Sequence, residues 1–498
     1  MISFRHVSFS YGTSPTADDA GVRNVSLSVA PGEVVVLCGR SGCGKSTLLR
    51  LANGLAPRFF SGEKAGNVML DGTDVDDLAT WEIAQRAGSL FQNPRTQFFN
   101  VETTGEVAFG LESAGWPEEK IRPRVSETFE ELDLSMLADR SIFELSGGER
   151  QKIAFASIWA QHPANLLLDE PTSNLDLTSI DAMTAFVGHA KERGCAILVA
   201  EHRLSWLAGI ADRYVYLEKG SVGRVMGAAE FASLDAWEVG RMGLRARSIG
   251  EIAPRANPSV STYSPRAGGA LLATRALSVS FGTAPVLRGA ALELHAGEVT
   301  ALVGRNGAGK TTLCRALCGF ERRTRGKILL NSATATRRER VRVSSMVFQD
   351  VNYQLFAESA TEEVTFGLPR REAESVDVAR VLSELDLEAL GDRHPATLSG
   401  GQKQRLAVAA CVAAEKRVLV FDEPTSGLDL DGMQRIARLL RRLAEQGRAL
   451  LVVTHDLELV ACACDRVLCV KDGALRAPLA TAEQFDTVKA LMDSAVSR

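Results

Sequence analysis

Short apolar runs alternate with amphipathic stretches along the chain. Val34–Cys38 and Val418–Phe421 are apolar blocks of strand length. Continuous apolarity over so few residues predicts strands buried on both faces. NLLLD (165–169), RVLVFD (417–422), AILVAE (196–201) and ALLVVTH (449–455) read the same way. After Gly39 the pattern changes: TLLRLANGL (47–55) spaces its leucines as a helix does. VTALVG (299–304) followed by TTLCRALCG (311–319) repeats that strand, glycine loop and helix order. Strands alternating with helices predict an α/β fold with a mainly parallel sheet.

The pattern occurs twice because the chain is an internal repeat. GRSGCGKST (39–47) recurs as GRNGAGKTT (304–312), and LFQNPRTQFF (90–99) as VFQDVNYQLF (347–356). LSGGERQK (145–152) recurs as LSGGQKQR (398–405), LLLDEPTSNLD (166–176) as LVFDEPTSGLD (419–429), and VAEHRL (199–204) is matched by VTHDL (453–457). The offset from Ser146 to Ser399 equals that from His202 to His455, whereas that from Lys45 to Lys310 is larger. Length differences therefore fall in the loops before the second half of each copy, the larger near residues 57–64. Loops absorb insertions that catalytic spacing does not tolerate. Residues 1–240 and 271–498 are the expected domains. Between them, 241–270 holds Pro254, Pro258 and Pro265, with Arg241, Arg245, Arg247, Arg255 and Arg266 against Glu251. That composition predicts a solvated linker.

The glycine loops carry the first chemistry. Gly39, Gly42 and Gly44, and Gly304, Gly307 and Gly309, leave room for backbone N–H groups to wrap a polyphosphate at a helix N-terminus. Lys45 and Lys310 reach the β- and γ-phosphates, and the hydroxyls of Ser46 and Thr311 suit Mg²⁺. Ser41, Thr47, Asn306 and Thr312 complete the expected ATP-binding set. Asp169-Glu170 and Asp422-Glu423 close apolar strands beside these loops. Asp169 and Asp422 suit the metal, while Glu170 and Glu423 suit polarising an attacking water. His202 and His455 follow buried strands and are expected at the γ-phosphate. Gln92 and Gln349 are expected to touch both metal and water.

Composition narrows the class. With 57 basic and 61 acidic residues among 498, the net charge of −4 argues against a dedicated nucleic-acid binder. No run approaches the roughly 18 apolar residues needed to cross a bilayer, so a cytosolic chain is expected, with any membrane role resting on a separate partner. Nine cysteines, mostly in apolar segments, predict reduced thiols. Cys314 with Cys318, and Cys462 with Cys464, lack the further ligands a zinc site needs.

Phosphate loop, glutamine loop, LSGG, D-E-P-T-S-x-L-D and a trailing histidine together resemble the ATP-binding-cassette (ABC) ATPases, in both halves of the chain. The resemblance implies two P-loop NTPase domains in tandem. Each has a mainly parallel core sheet, an antiparallel β subdomain and an α-helical signature subdomain, and uses ATP and Mg²⁺. It also implies head-to-tail pairing of the cassettes. Ser146, Gly147 and Gly148 then serve the ATP held by Lys310, and Ser399, Gly400 and Gly401 the ATP held by Lys45. Asp176 and Asp429 fall at the shared interface, and Tyr11 and Phe281 stack on adenine. Both sites look complete, unlike fused sugar importers with one degenerate site.

The Gln-x4-Gln segments followed by an apolar pair, with LANGLAPRFFSGEKAGNVMLDG (51–72), resemble energy-coupling-factor importers of vitamins and metals. By that resemblance Gln97, Phe98, Phe99, Gln354, Leu355 and Phe356 meet a membrane coupling protein, while a small membrane protein captures the substrate. The chain then acts as a peripheral motor on the cytoplasmic face of the membrane. Two alternatives stay open: a sugar or drug transporter of another subgroup, and a two-cassette translation factor on the ribosome. The latter needs a long helical arm that a Pro-rich linker cannot form.

Overall fold

The computed structural model describes residues 1–12, 21–93, 96–173, 175–254, 269–282 and 284–494. It divides into two compact units, Met1–Ser248 and Ile249–Arg498.

In the first unit, β1 (Ile2–Tyr11), β2 (Val22–Val29), β4 (Gly62–Leu70) and β5 (Thr73–Asp74) form an antiparallel sheet in the order β2-β1-β4-β5. Five further strands belong to the core sheet with β3 (Val34–Cys38). They are β6 (Ala87–Leu90), β7 (Asn165–Asp169), β8 (Ala196–Ala200), β9 (Arg213–Glu218) and β10 (Ser221–Gly227), in the order β10-β9-β3-β8-β7-β6. All its neighbours run parallel except the β9–β10 hairpin. β3 and β8 are buried along their whole length, which is why their sequences are unbroken apolar runs.

The second unit repeats the plan. β11 (Leu272–Phe281), β12 (Ala284–Leu294), β14 (Thr324–Leu330) and β15 (Ala333–Thr334) form the antiparallel sheet. The core sheet takes β13 (Glu298–Val303), β16 (Ser344–Val347), β17 (Val418–Asp422), β18 (Ala449–Val453), β19 (Arg466–Lys471) and β20 (Ala474–Leu475), with β21 (Leu479–Ala480) beside β19.

The helices Thr103–Ser113, Glu118–Glu131 and Gly147–Trp159 cluster in the first unit, and Ala360–Thr365, Val378–Glu384 and Gly400–Ala413 in the second. Phe155 anchors the first cluster. Its ring stacks at 6.2 Å on Trp159 and at 5.1 Å on Phe186, joining the cluster to the main core.

Residues 241–248 belong to the first unit. Leu244 and Arg245 are buried there, and Arg40 of the phosphate loop donates through Nη2 to the carbonyl of Arg241 at 3.1 Å. An arginine-rich stretch reads as solvated until its partners are known. Arg255, Pro258, Pro265 and Arg266 lie outside the described residues.

Candidate functional site

Each phosphate loop joins a buried strand, β3 or β13, to a helix beginning at Lys45 or Lys310. The entry glycines hold φ of 143° (Gly39) and 145° (Gly304). A β-carbon at either would stand 2.4 Å from a backbone carbonyl, that of Leu217 or of Val470, so the loop passes there only with glycine. Lys45 Nζ donates to the carbonyls of Gly39 at 3.0 Å and Arg40 at 3.2 Å. Lys310 does the same to Gly304 and Arg305 at 2.6 and 2.9 Å. A buried ammonium inside a glycine turn at a helix N-terminus is an anion cradle. Gly42, Gly307 and Ser41 line the exposed rim, Asn306, Ser46 and Thr312 are half-buried, and Gly44, Gly309 and Thr47 are buried.

Next to the cradle lysines, the Ser46 hydroxyl donates to Asp169 Oδ1 at 2.9 Å, and Thr311 to Asp422 Oδ2 at 2.8 Å. Burial pushes both aspartates above the usual carboxylate range, and these hydroxyl bonds pull back. A hydroxyl and a carboxylate side by side are hard oxygen donors that fit Mg²⁺ completed by phosphate and water oxygens. Bound there, Mg²⁺ would neutralise charge on the phosphates.

Glu170 and Glu423 follow these aspartates with left-handed φ of 45° and 53°, a conformation rare for a non-glycine residue. Their N–H groups bond to the carbonyls of Ala200 and Val453 at 2.8 and 2.9 Å, so the neighbouring strand holds the turn. His202 Nε2 lies 3.5 Å from Glu170 Oε1, and His455 Nε2 3.5 Å from Glu423 Oε1. Burial, then the charges of Asp169 and Glu201, hold the Glu170 carboxyl well above its ordinary value, while Lys45 and the Gln92 amide pull it down. Gln92 donates to Glu170 at 2.7 Å, whereas Gln349 is exposed.

Ser146 caps the helix Gly147–Trp159 through a box with Glu149, at 2.8 and 3.2 Å. Ser399 does so with Gln402 ahead of Gly400–Ala413. The boxes leave Gly147, Gly148, Gly400 and Gly401 at the first helical positions, where N–H groups have no intrahelical acceptor. Asp176 and Asp429 also cap helices, accepting from Ser179 N at 3.0 Å and Gly432 N at 2.8 Å.

The expected adenine platforms differ. The Tyr11 hydroxyl is shared with Thr47 Oγ1 at 3.1 Å and Arg50 Nη1 at 3.0 Å, and its ring meets Phe9 edge-on. Phe281 is exposed.

The expected partner contacts also separate. Gln97 spends its amide on the backbone of Phe91 and Ser89, and Gln354 on Phe348 and Met346. Their side chains fasten their own loops, although Gln97 still lines the groove beside it. Phe98 packs on the core and Leu355 is half-buried. Phe99 and Phe356 are exposed. Phe99 stacks on Phe109 at 4.9 Å, and with Trp81 they line a groove of about 510 Å³. Trp81 and Phe109 carry no motif and escape a reading by motif.

Residues 22–173 and 287–426 both match the model of the ABC transporter family. The chain belongs to the ABC transporter family. Cassettes of this family bind ATP with Mg²⁺ and hydrolyse it. A protein of Treponema denticola named as an ABC transporter ATP-binding protein is 42% identical over 475 residues, covering 95% of this chain and 96% of that protein. YkoD of Bacillus subtilis, named as an HMP/thiamine import ATP-binding protein, is 31% identical over 519 residues, covering 99% and 94%. Among solved structures, the RNase-L inhibitor superposes with a TM-score of 0.65 at 23% identity, covering 98% of this chain and 93% of that one. At that identity the likeness shows the tandem-cassette fold. No described helix is long and apolar enough to cross a membrane.

Proposed function

We propose that this ABC ATPase is the motor subunit of an importer of the energy-coupling-factor type, bound peripherally to a membrane coupling protein on its cytoplasmic side. The observation that carries this reading is the exposed aromatic pair Phe99 and Phe109 beside Trp81. An apolar groove rimmed by polar residues is a surface made for a partner helix. Phe99 lies seven residues after Gln92, which bonds Glu170, so one stretch of chain carries both a groove aromatic and the glutamine that meets the hydrolytic glutamate. The importing relative YkoD supports the same class.

In this reading ATP draws the cassettes together. Lys45 and Lys310 hold the phosphates, and Gly147, Gly148, Gly400 and Gly401 offer helix N–H groups to the nucleotide of the opposite cassette. Asp176 and Asp429 lie where the two meet. Glu170 and Glu423 orient water with His202 and His455. Hydrolysis removes the γ-phosphate that favoured closure, and the motion passes to the groove. This is a population shift set by the higher affinity of the closed state for ATP.

The test is a gentle detergent pull-down of the full chain from native membranes. A polytopic coupling protein with a small hydrophobic binding protein is expected, and Phe99→Ala with Phe356→Ala should weaken that capture while leaving ATP binding intact. Recovery of ribosomal proteins instead would replace the transport reading.

A further inference from the structure

The two copies diverge immediately around their histidine. The first reads Ala200-Glu201-His202-Arg203, the second Val453-Thr454-His455-Asp456. We propose that Glu201 is a positioning residue for hydrolysis in the first cassette, performing from the position before His202 the task Asp456 performs from the position after His455. The inference rests on the assignment of Glu170 and His202 as the pair that orients water.

Both copies need one thing at this place: an acceptor for a fully buried threonine hydroxyl two residues beyond the glutamate. In the second copy Thr425 Oγ1 donates to Asp456 Oδ2 at 2.8 Å. In the first, Thr172 Oγ1 donates to Glu201 Oε2 at 2.7 Å. Arg203, standing where Asp456 does, offers only donors and cannot accept that bond. The acceptor has therefore moved two residues along the chain. Glu201 and Thr454 occupy one backbone place, their N–H groups reaching Leu37 O at 3.2 Å and Leu302 O at 3.3 Å.

Glu201 is bonded to both turns. It is 2% exposed, and its carboxylate also accepts from His202 N at 2.8 Å, Arg203 N at 3.2 Å and Trp206 Nε1 at 3.3 Å. One buried anion thus clamps the turn that carries Glu170 to the turn that carries His202. The local structure records the exchange. Asp456 caps the seven-residue helix Leu457–Ala463 by accepting from Leu459 N at 3.2 Å. The first copy, with arginine there, has only the three-residue 3₁₀ turn Ser205–Leu207.

The experiment measures ATP turnover and TNP-ATP binding of the full-length chain. Glu170→Gln sets the turnover left when the first site is silent. Glu201→Thr should remove most of what Glu170→Gln removes, about tenfold in that share, while the Kd for TNP-ATP moves by less than about threefold. The exchange Glu201→Thr with Arg203→Asp should restore turnover to within about threefold of the parent. A generic packing role predicts no such rescue. Thr172→Val keeps the carboxylate and removes the donor, so it reads the same clamp if Glu201→Thr does not fold. Parent turnover in Glu201→Thr or Thr172→Val overturns the inference, as does an exchange variant that regains the parent Tm but stays slow. If Glu170→Gln itself turns over like the parent, the site assignment fails and takes the inference with it.

Discussion

Gln92 Nε2 donates to Glu170 Oε2 at 2.7 Å, while Gln349, its counterpart in the repeat, is exposed to solvent. The two sites therefore share a backbone and differ in how the glutamine meets the carboxylate. Gln92→Ala is expected to slow turnover more than Gln349→Ala. Steady-state kcat of the two variants decides it, and equal losses would remove the asymmetry.

Glu170→Gln combined with Glu423→Gln keeps shape and removes both proton acceptors. ATP binding should persist while kcat falls by a factor on the order of 10² to 10³. Nucleotide titration with phosphate release checks both halves. Rapid hydrolysis by this variant would reassign the two carboxylates.

The proposed head-to-tail pairing implies that Lys45 and Ser399 act on one nucleotide. Residues that act on one ligand couple strongly, whereas separate sites add. A double-mutant cycle of Lys45→Ala with Ser399→Ala is expected to deviate from additivity by more than about 1 kcal/mol in ΔΔG‡. Lys45→Ala with Ser146→Ala should deviate differently. Additive losses for the first pair speak against the composite site.

Buried thiols predict the alkaline limit. Burial pushes Cys38 and Cys318 up to about 12 and Cys411 to about 11, from an ordinary value of 9.0. A group whose folded pKa is raised contributes its stability below the unfolded value and loses it as pH rises toward the folded one. Tm should therefore hold up to about pH 9 and fall between about pH 9 and 12. Replacing the three with Ala or Val should lessen that fall in a thermal scan across pH, the remainder coming from the other thiols that burial raises, and an unchanged slope counts against these three as contributors.

Much of this molecule is legible in order along the chain. Repetition of the glycine loop, LSGG and D-E-P-T segments specifies two cassettes, and unbroken apolar runs ending in Asp169 and Asp422 specify parallel strands whose ends carry the chemistry. These are local signals: a loop needs its glycines, a cap its serine, and a doubly covered strand its continuous apolarity. Tertiary structure decided matters that depend on partners remote in sequence. Arg245 is buried rather than a solvated linker charge, because the first unit continues to Ser248. Gln97 and Gln354 fasten their loops to strands eight residues back, at Ser89 and Met346. Tyr11 is tied through its hydroxyl to Thr47 and Arg50. The clamp through Glu201 joins the ends of two neighbouring strands, β7 and β8. A polar side chain's partner is set by where the fold brings other groups, so the sequence by itself determined which groups exist and their order, and packing alone decided which of them touch.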